Sequence, residues 1–140
     1  MRSVLAIMAG LVGAALAFVV IGVVGVGATY APPAGTNLGD SGRMVEILVA
    51  MPGGAKVALL VATLGAAIAG AALAKLVAGR AWPAWAVAGL LTCYAALSIL
   101  SLPVSALGQA LAIAAPLVGG LIGNHLVAAR GIATDSQPDA

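Results

Sequence analysis

The sequence predicts an all-α membrane protein with four transmembrane helices in an antiparallel bundle. Only 7% of its residues are charged, whereas soluble domains carry about 25%. Residues 4–38 and 81–124 contain no charged side chain, and the shorter stretch 57–74 contains none either. A charge at the bilayer centre costs about 2.5–3.5 kcal/mol on insertion scales, so charge-free stretches of this length indicate membrane spans. A chain of 140 residues accommodates four spans and leaves no room for a separate soluble domain.

The first predicted span covers residues 4–28 and is rich in Val, Ala and Gly. Its apolar stretch is longer than the 7–15 residues of a signal-peptide core, so we expect this span to be retained. Tyr30 suits the membrane interface, and the following prolines, Pro32 and Pro33, stop the helix.

A more polar segment, residues 36–52, follows the first span. Asp40 or Ser41 caps a short helix in this interpretation, and Pro52 ends it. The segment is amphipathic and is expected to lie at the outer membrane surface. Its apolar side chains predict a contact with a partner protein through Val45, Leu48 and Val49.

The second predicted span, residues 56–78, carries a small residue at every fourth position. In lipid, apolar surface alone drives little helix association, so close backbone packing through small side chains becomes decisive. The pattern predicts that one face of this helix packs tightly against another helix through Ala58, Ala62, Ala66, Gly70, Ala74 and Ala78.

The third and fourth predicted spans cover residues 82–102 and 105–128. Pro103 ends the third span, and the short link makes the two spans antiparallel neighbours. Pro116 predicts a kink or local unwinding of the fourth span. Cys93, the only cysteine, is expected to be a small buried side chain, and residues 131–140 are expected to form a disordered tail.

The basic residues predict the orientation of the bundle. In the four-span arrangement Arg2, Lys75, Arg80 and Arg130 lie on one side, and Arg43 and Lys56 lie on the other. The positive-inside rule then places both termini in the cytoplasm. The six basic residues therefore act as topology determinants and do not indicate nucleic-acid binding.

Few intramembrane side chains are polar. Gln109, Thr92, Tyr94 and Ser98 either line a weakly polar path for a solute or serve packing roles. The packing roles are an interhelical hydrogen bond for Gln109 and hydroxyl bonds to backbone carbonyls one turn back for the others.

No catalytic or metal-binding pattern is recognisable in the sequence. His125 is a weak candidate for axial ligation of a haem or a chlorophyll-type pigment, but no second histidine or acid accompanies it. The glycine-rich stretches 22–27 and 119–123 lack a Walker-type lysine and are interpreted as packing features. We predict no catalytic residue and no metal site, and the sequence leaves the cofactor unknown, with His125 as the weak candidate.

One stretch resembles a known group of proteins. It comprises the Tyr30-x-Pro-Pro-x-Gly sequence, Asp40, the Met51-Pro52 pair and the small-residue span that ends at Arg80. Over residues 30–80 it resembles small bacterial four-span inner-membrane proteins of unknown function, a resemblance that implies a location but no activity. By size the chain also invites comparison with small multidrug exporters, but its first span lacks their membrane-embedded glutamate.

The sequence therefore favours a non-enzymatic protein of the bacterial inner membrane that acts through helix packing. Its partners are the lipid bilayer and other transmembrane helices, in an accessory or structural subunit of a larger complex or in a homo-oligomer. The alternative is a small transporter or channel, which needs a polar site near the membrane midplane.

Overall fold

The computed structural model describes residues 2–31, 46–47, 49–100 and 105–134. Most of these residues form four long helices, α1 (Arg2–Thr29), α2 (Gly53–Ala78), α3 (Trp82–Leu100) and α4 (Ala106–Thr134). Each helix is long and apolar enough to cross a membrane, and the described part of the chain contains no strand. The structure thus confirms the predicted fold class.

The helix ends follow from local chemistry. The hydroxyl of Thr29 closes α1 by donating to the carbonyl of Gly25 at 2.9 Å. Gly79 ends α2 with φ 66°, a left-handed conformation that glycine adopts without steric cost, and its N–H donates to the Lys75 carbonyl at 2.8 Å. At the start of α4 the hydroxyl of Ser105 accepts the backbone N–H of Gly108 at 3.3 Å.

Two features of α4 differ from the sequence-based expectation. The helix continues to Thr134, past the predicted span end at residue 128 and into the segment that we expected to be disordered. The helix continues because extending a formed helix costs little and no proline interrupts the chain between Pro116 and Pro138. The backbone also stays helical through Pro116, without local unwinding, because a proline removes a single ladder bond and packing holds this fully buried ring in place. The alternative expectation, a kink at Pro116, stays a prediction.

Helix α2 forms the centre of the bundle and contacts all three other helices. Its most extensive contact is with α1, followed by α4, while α3 contacts α4 and α2. Helices α1 and α2 are antiparallel, since Gly10 lies beside Gly70 and Gly25 lies beside Ala58.

The buried core consists almost entirely of small side chains. The largest fully buried residues are Val87, Pro83 and Pro116, and the other buried apolar residues are alanines. Large aliphatic side chains such as Val23 and Leu16 point outward. This distribution suits a bilayer, where exposed aliphatic side chains meet lipid and small ones let helices approach.

Candidate functional site

The predicted small-residue face of α2 packs against α1. Four of its members, Ala62, Ala66, Gly70 and Ala74, are buried, and the two at its ends, Ala58 and Ala78, are partly exposed. A Cβ added to Gly70 would lie 2.8 Å from the carbonyl oxygen of Gly10 and 2.9 Å from Cβ of Ala14. Any side chain at this position would therefore push the two backbones apart.

The opposing face of α1 is also built from small residues. Its buried members are Ala6, Gly10 and Ala14, again at a spacing of four. A Cβ added to Gly10 would lie 2.8 Å from the Gly70 carbonyl oxygen and 2.9 Å from a methyl group of Val87 on α3. The sequence analysis missed this face, although its four-residue spacing is the same signal that identified the face on α2.

A second close interface joins α2 to α4. A Cβ added to Gly119 would lie 2.7 Å from the carbonyl oxygen of Leu64, and one at Gly123 would lie 2.5 Å from that of Ile68. Gly120 faces α3, where an added Cβ would lie 2.5 Å from Cβ of Ala88. The glycines in the middle of α4 therefore serve packing against two helices at once.

The four residues of the predicted polar path do not assemble into one. Tyr94 points outward and is 73% exposed, and Ser98 is also exposed. Thr92 donates its hydroxyl to the Ala88 carbonyl at 2.7 Å, one turn back on its own helix. Gln109 is half-buried in the first turns of α4. The structure thus favours the packing role for Thr92 and places two of the four side chains on the outer surface.

His125 lies on the surface of α4. It is exposed and lies beside Leu121, Ile122 and Leu126 on an open surface of the helix. Within the described residues no group of three His, Cys, Asp or Glu side chains is placed to hold a metal ion. Axial ligation of a pigment through His125 stays a prediction.

The structure adds one polar contact that the sequence analysis did not anticipate. The ammonium of Lys75, in the last turn of α2, donates to the backbone carbonyl of Asn124 on α4 at 2.6 Å. The contact is partly buried, so it is a charge-assisted hydrogen bond in a medium of low dielectric constant. The side-chain oxygen of Asn124 is buried beside it without a hydrogen-bond partner among the described residues. Sequence alone marks Lys75 as a topology determinant but does not show which helix it contacts.

The predicted partner-contact segment is described only in part. Residues 46, 47, 49 and 50 have helical backbone, and Val49 is 57% exposed. The carbonyl of Val49 accepts a hydrogen bond from the Lys56 ammonium at 3.3 Å. Val45 and Leu48 lie outside the described residues, so the proposed contact face stays a prediction.

Cys93 is exposed, and the expectation that it is buried is wrong. Helix α3 turns Ala84, Val87 and Ala88 toward the bundle, and Cys93 lies on the opposite face. Tyr94 is exposed beside it, in the second half of the helix. Hydropathy does not distinguish the two faces of this helix, since both are apolar.

The described residues thus form four closely packed helices that carry a few polar side chains on the outer surface of the bundle. Comparisons of the chain with protein-family models, with curated proteins and with solved structures found no match. The four apolar helices identify a membrane protein.

Proposed function

We propose that this chain is a non-enzymatic subunit of a membrane assembly, built with other proteins or with copies of itself, and that it acts through helix packing. It resides in a bacterial inner membrane, the location that the resemblance over residues 30–80 implies. Its partner helix covers the outward face of α3.

The orientation of α3 carries this proposal. Its outward face presents the phenol of Tyr94, the thiol of Cys93 and the hydroxyl of Ser98 on a helix that is long enough to span the bilayer. Polar side chains inside a span normally face protein, since hydrocarbon offers them no hydrogen-bond partner. The small-residue face of α2 is already covered by α1, so it is not free for a partner. The α3 face therefore fits a protein neighbour better than lipid.

The native cysteine provides a direct test. In native membranes a covered α3 face should slow the reaction of Cys93 with a lipid-soluble maleimide, compared with purified monomer in detergent. As a control, Val12 on the outward face of α1 is changed to cysteine in a Cys93→Ala background, and its reaction rate should be equal in both preparations. Equal rates for Cys93 as well would contradict the proposal.

Cross-linking distinguishes the two kinds of assembly. If a second copy covers the face, mild oxidation in native membranes should give a disulfide-linked dimer through Cys93. If a different protein covers it, Cys93 should be protected without forming that dimer, and replacing Tyr94 by alanine should restore its labelling. The competing transporter interpretation predicts solute flux by the purified protein in liposomes that Gln109→Ala abolishes.

The proposed topology has both termini in the cytoplasm. Because α1 and α2 are antiparallel, Arg2 lies at the same end of the bundle as Lys75 and Arg80, and Lys56 lies at the opposite end. This distribution of cations supports the orientation through the positive-inside rule. In a Cys93→Ala background, an impermeant thiol reagent applied to spheroplasts should label Ser41→Cys and not Ser136→Cys. The reverse labelling pattern would overturn the topology.

A further inference from the structure

Helices α3 and α4 are packed tightly toward one end of the bundle and loosely toward the other. We term the end with Arg2 and Lys75 the packed half and the end with Lys56 the open half. None of residues 93–99 and 106–115, which form the open half of α3 and α4, is buried. The buried residues of the two helices all lie between the packed end and the level of Pro116; they are Pro83, Ala84, Val87, Ala88, Pro116, Gly119, Gly120 and Gly123.

Helices α1 and α2 differ from this pair because they stay in contact along both halves. In the open half a Cβ added to Gly25 would lie 3.2 Å from Cβ of Ala58, and one at Gly22 would lie 3.9 Å from Cβ of Ala62. Ala62 is fully buried. The open half therefore consists of a closely packed pair, α1 and α2, and a loosely packed hairpin, α3 and α4, which residues 101–105 join.

The side chains of α3 and α4 show where their contacts with the bundle end. Val87 is fully buried, and Tyr94 lies seven residues later, about two turns along nearly the same side of α3. Tyr94 is nonetheless 73% exposed, so in the open half even this side of the helix faces outward. Gln109 likewise lies seven residues before the fully buried Pro116 and is only half-buried. Both helices lose their neighbours on passing the same level of the bundle.

Helices α3 and α4 run antiparallel to each other. Helix α3 begins four residues after α2 ends and therefore runs back along it. Helix α4 is parallel to α2, because Gly119 lies beside Leu64 and Gly123 lies beside Ile68. A single contact between α3 and α4 then determines which residues of the two helices lie at the same level.

Two residues that weaken a helix lie at the level where the contacts end. Gly120 touches Ala88, since a Cβ added to Gly120 would lie 2.5 Å from Cβ of Ala88. One turn further toward the open half, α4 has Pro116 and α3 has Thr92. Pro116 carries no N–H, so the helical bond to the Ala112 carbonyl is missing. Thr92 donates its hydroxyl to the Ala88 carbonyl at 2.7 Å, a bond of the kind that often bends helices.

We propose that the open half of the α3–α4 hairpin swings about a hinge at Thr92 and Pro116 while the packed half stays fixed. Helices bend most readily at prolines, and segments with few buried contacts are the ones that move. The motion carries Tyr94, Ser98 and Gln109 toward α1 and α2 in one position and away from them in the other. The hinge thereby controls whether these polar side chains line the inside of the bundle or face outward.

Distances between spin labels test the hinge. They are measured by double electron–electron resonance on the full chain in liposomes, in a Cys93→Ala background. Two label pairs join α1 to α4 at exposed positions, one pair in the open half and a reference pair in the packed half. The open-half pair is Val24→Cys with Leu107→Cys, and the reference pair is Val4→Cys with Leu126→Cys.

The expected motion is large enough to resolve. Leu107 lies nine residues from Pro116, or about 14 Å, so a change of about 20° in the hinge angle moves it by about 5 Å. We expect the open-half distance distribution to be broader than the reference distribution by this amount, because the reference pair lies where both helices are packed.

Removing the weak points should narrow the open-half distribution. Pro116→Ala supplies the missing N–H and should reduce its width to that of the reference pair. Thr92→Val removes the bond to the Ala88 carbonyl at nearly constant side-chain shape and should narrow the distribution part of the way. Thr92→Val decides the question if Pro116→Ala, which removes a fully buried ring, does not fold.

Thr63→Val is the matched control. Thr63 makes the same kind of bond, to the Leu59 carbonyl at 2.9 Å, on α2, which has buried residues along its whole length. Its replacement should leave both distributions unchanged. The proposal is overturned by equal widths for the two pairs in the parent chain, by a broad open-half distribution that neither hinge variant narrows, or by narrowing in Thr63→Val as large as that in Thr92→Val.

Discussion

Helices α1 and α2 differ in how their hydropathy relates to their burial, and the relation is the reverse of that in soluble proteins. The most apolar window of α1 has a mean hydropathy of 2.8 and only 17% of it is buried, whereas the corresponding window of α2 has a mean hydropathy of 2.3 and 33% of it is buried. The more hydrophobic helix is thus the more exposed one. In water the hydrophobic effect would favour the opposite distribution.

Side-chain volume explains this difference. The buried positions of α2 are alanines and a glycine, while the outward positions of α1 are mostly valines and leucines. Because lipid is as apolar as these side chains, burial gives no transfer gain, and dispersion contacts between close backbones favour small residues. Volume, and not hydropathy, decides which face of a helix is inside this bundle.

The largest loss of stability is expected where the small-residue faces of α1 and α2 meet. Gly10→Leu should destabilise the bundle by about 3 kcal/mol or more, because the side chain would collide with the Gly70 backbone and with Val87. Val12→Leu on the exposed face of α1 is the matched control and should change little. The measurement is the free energy of unfolding from SDS titration in mixed micelles, followed by circular dichroism. Equal stability of the two variants would refute the comparison.

The same glycine-to-alanine substitution at a packed position and at an open position sharpens the comparison. Gly123→Ala should cost about 1–3 kcal/mol, since the new Cβ would lie 2.5 Å from the Ile68 carbonyl oxygen. Gly89→Ala on α3 meets nothing within 4 Å and should stabilise its helix by about 0.5–1 kcal/mol. The same SDS titration measures both. If both substitutions changed the free energy of unfolding in the same direction, the close approach of α2 and α4 would not explain the effect of an added Cβ.

The hydrogen bond between Lys75 and Asn124 should contribute less to the free energy of unfolding than the close helix packing does. Lys75→Met removes the donor to the Asn124 carbonyl and is expected to cost about 1 kcal/mol, the usual range for hydrogen bonds between membrane helices. Lys56→Met, at an exposed position, should stay within about 0.5 kcal/mol. If both methionine variants unfold at the same SDS concentration, the contact does not stabilise the bundle.

The smallest effect is expected on the lipid-facing surface. Val23→Leu adds a methylene group at an outward position of α1 and should alter stability by less than about 0.5 kcal/mol. A clear loss in the SDS titration would indicate that this face contacts protein and not lipid.

Hydropathy and proline positions predicted the four helices correctly, and the spacing of small residues drew attention to one face of α2. The helix that covers this face could not be derived in the same way. With 19 glycines and many alanines, several helices carry small residues at the required spacing, so Ala6, Gly10 and Ala14 did not stand out. The choice of partner depends on three-dimensional matching of two surfaces.

The polar residues were harder to predict than the packing. Cys93 lies outward because α3 is oriented by Ala84 and Val87, and apolar periodicity does not reveal that orientation when both faces are apolar. The contact between Lys75 and Asn124 joins residues 49 positions apart in the chain. Such a contact becomes apparent only once the antiparallel register of the helices is known.

A volume series at two positions of α2 tests the central claim most directly. Position 70 is occupied in turn by Gly, Ala, Val and Leu, and position 61, which faces outward, by Ala, Val and Leu; the free energy of unfolding is measured for each. We expect stability to fall with every increase in volume at position 70 and to stay within about 0.5 kcal/mol at position 61. A flat series at position 70, or equal slopes at both positions, would contradict the account.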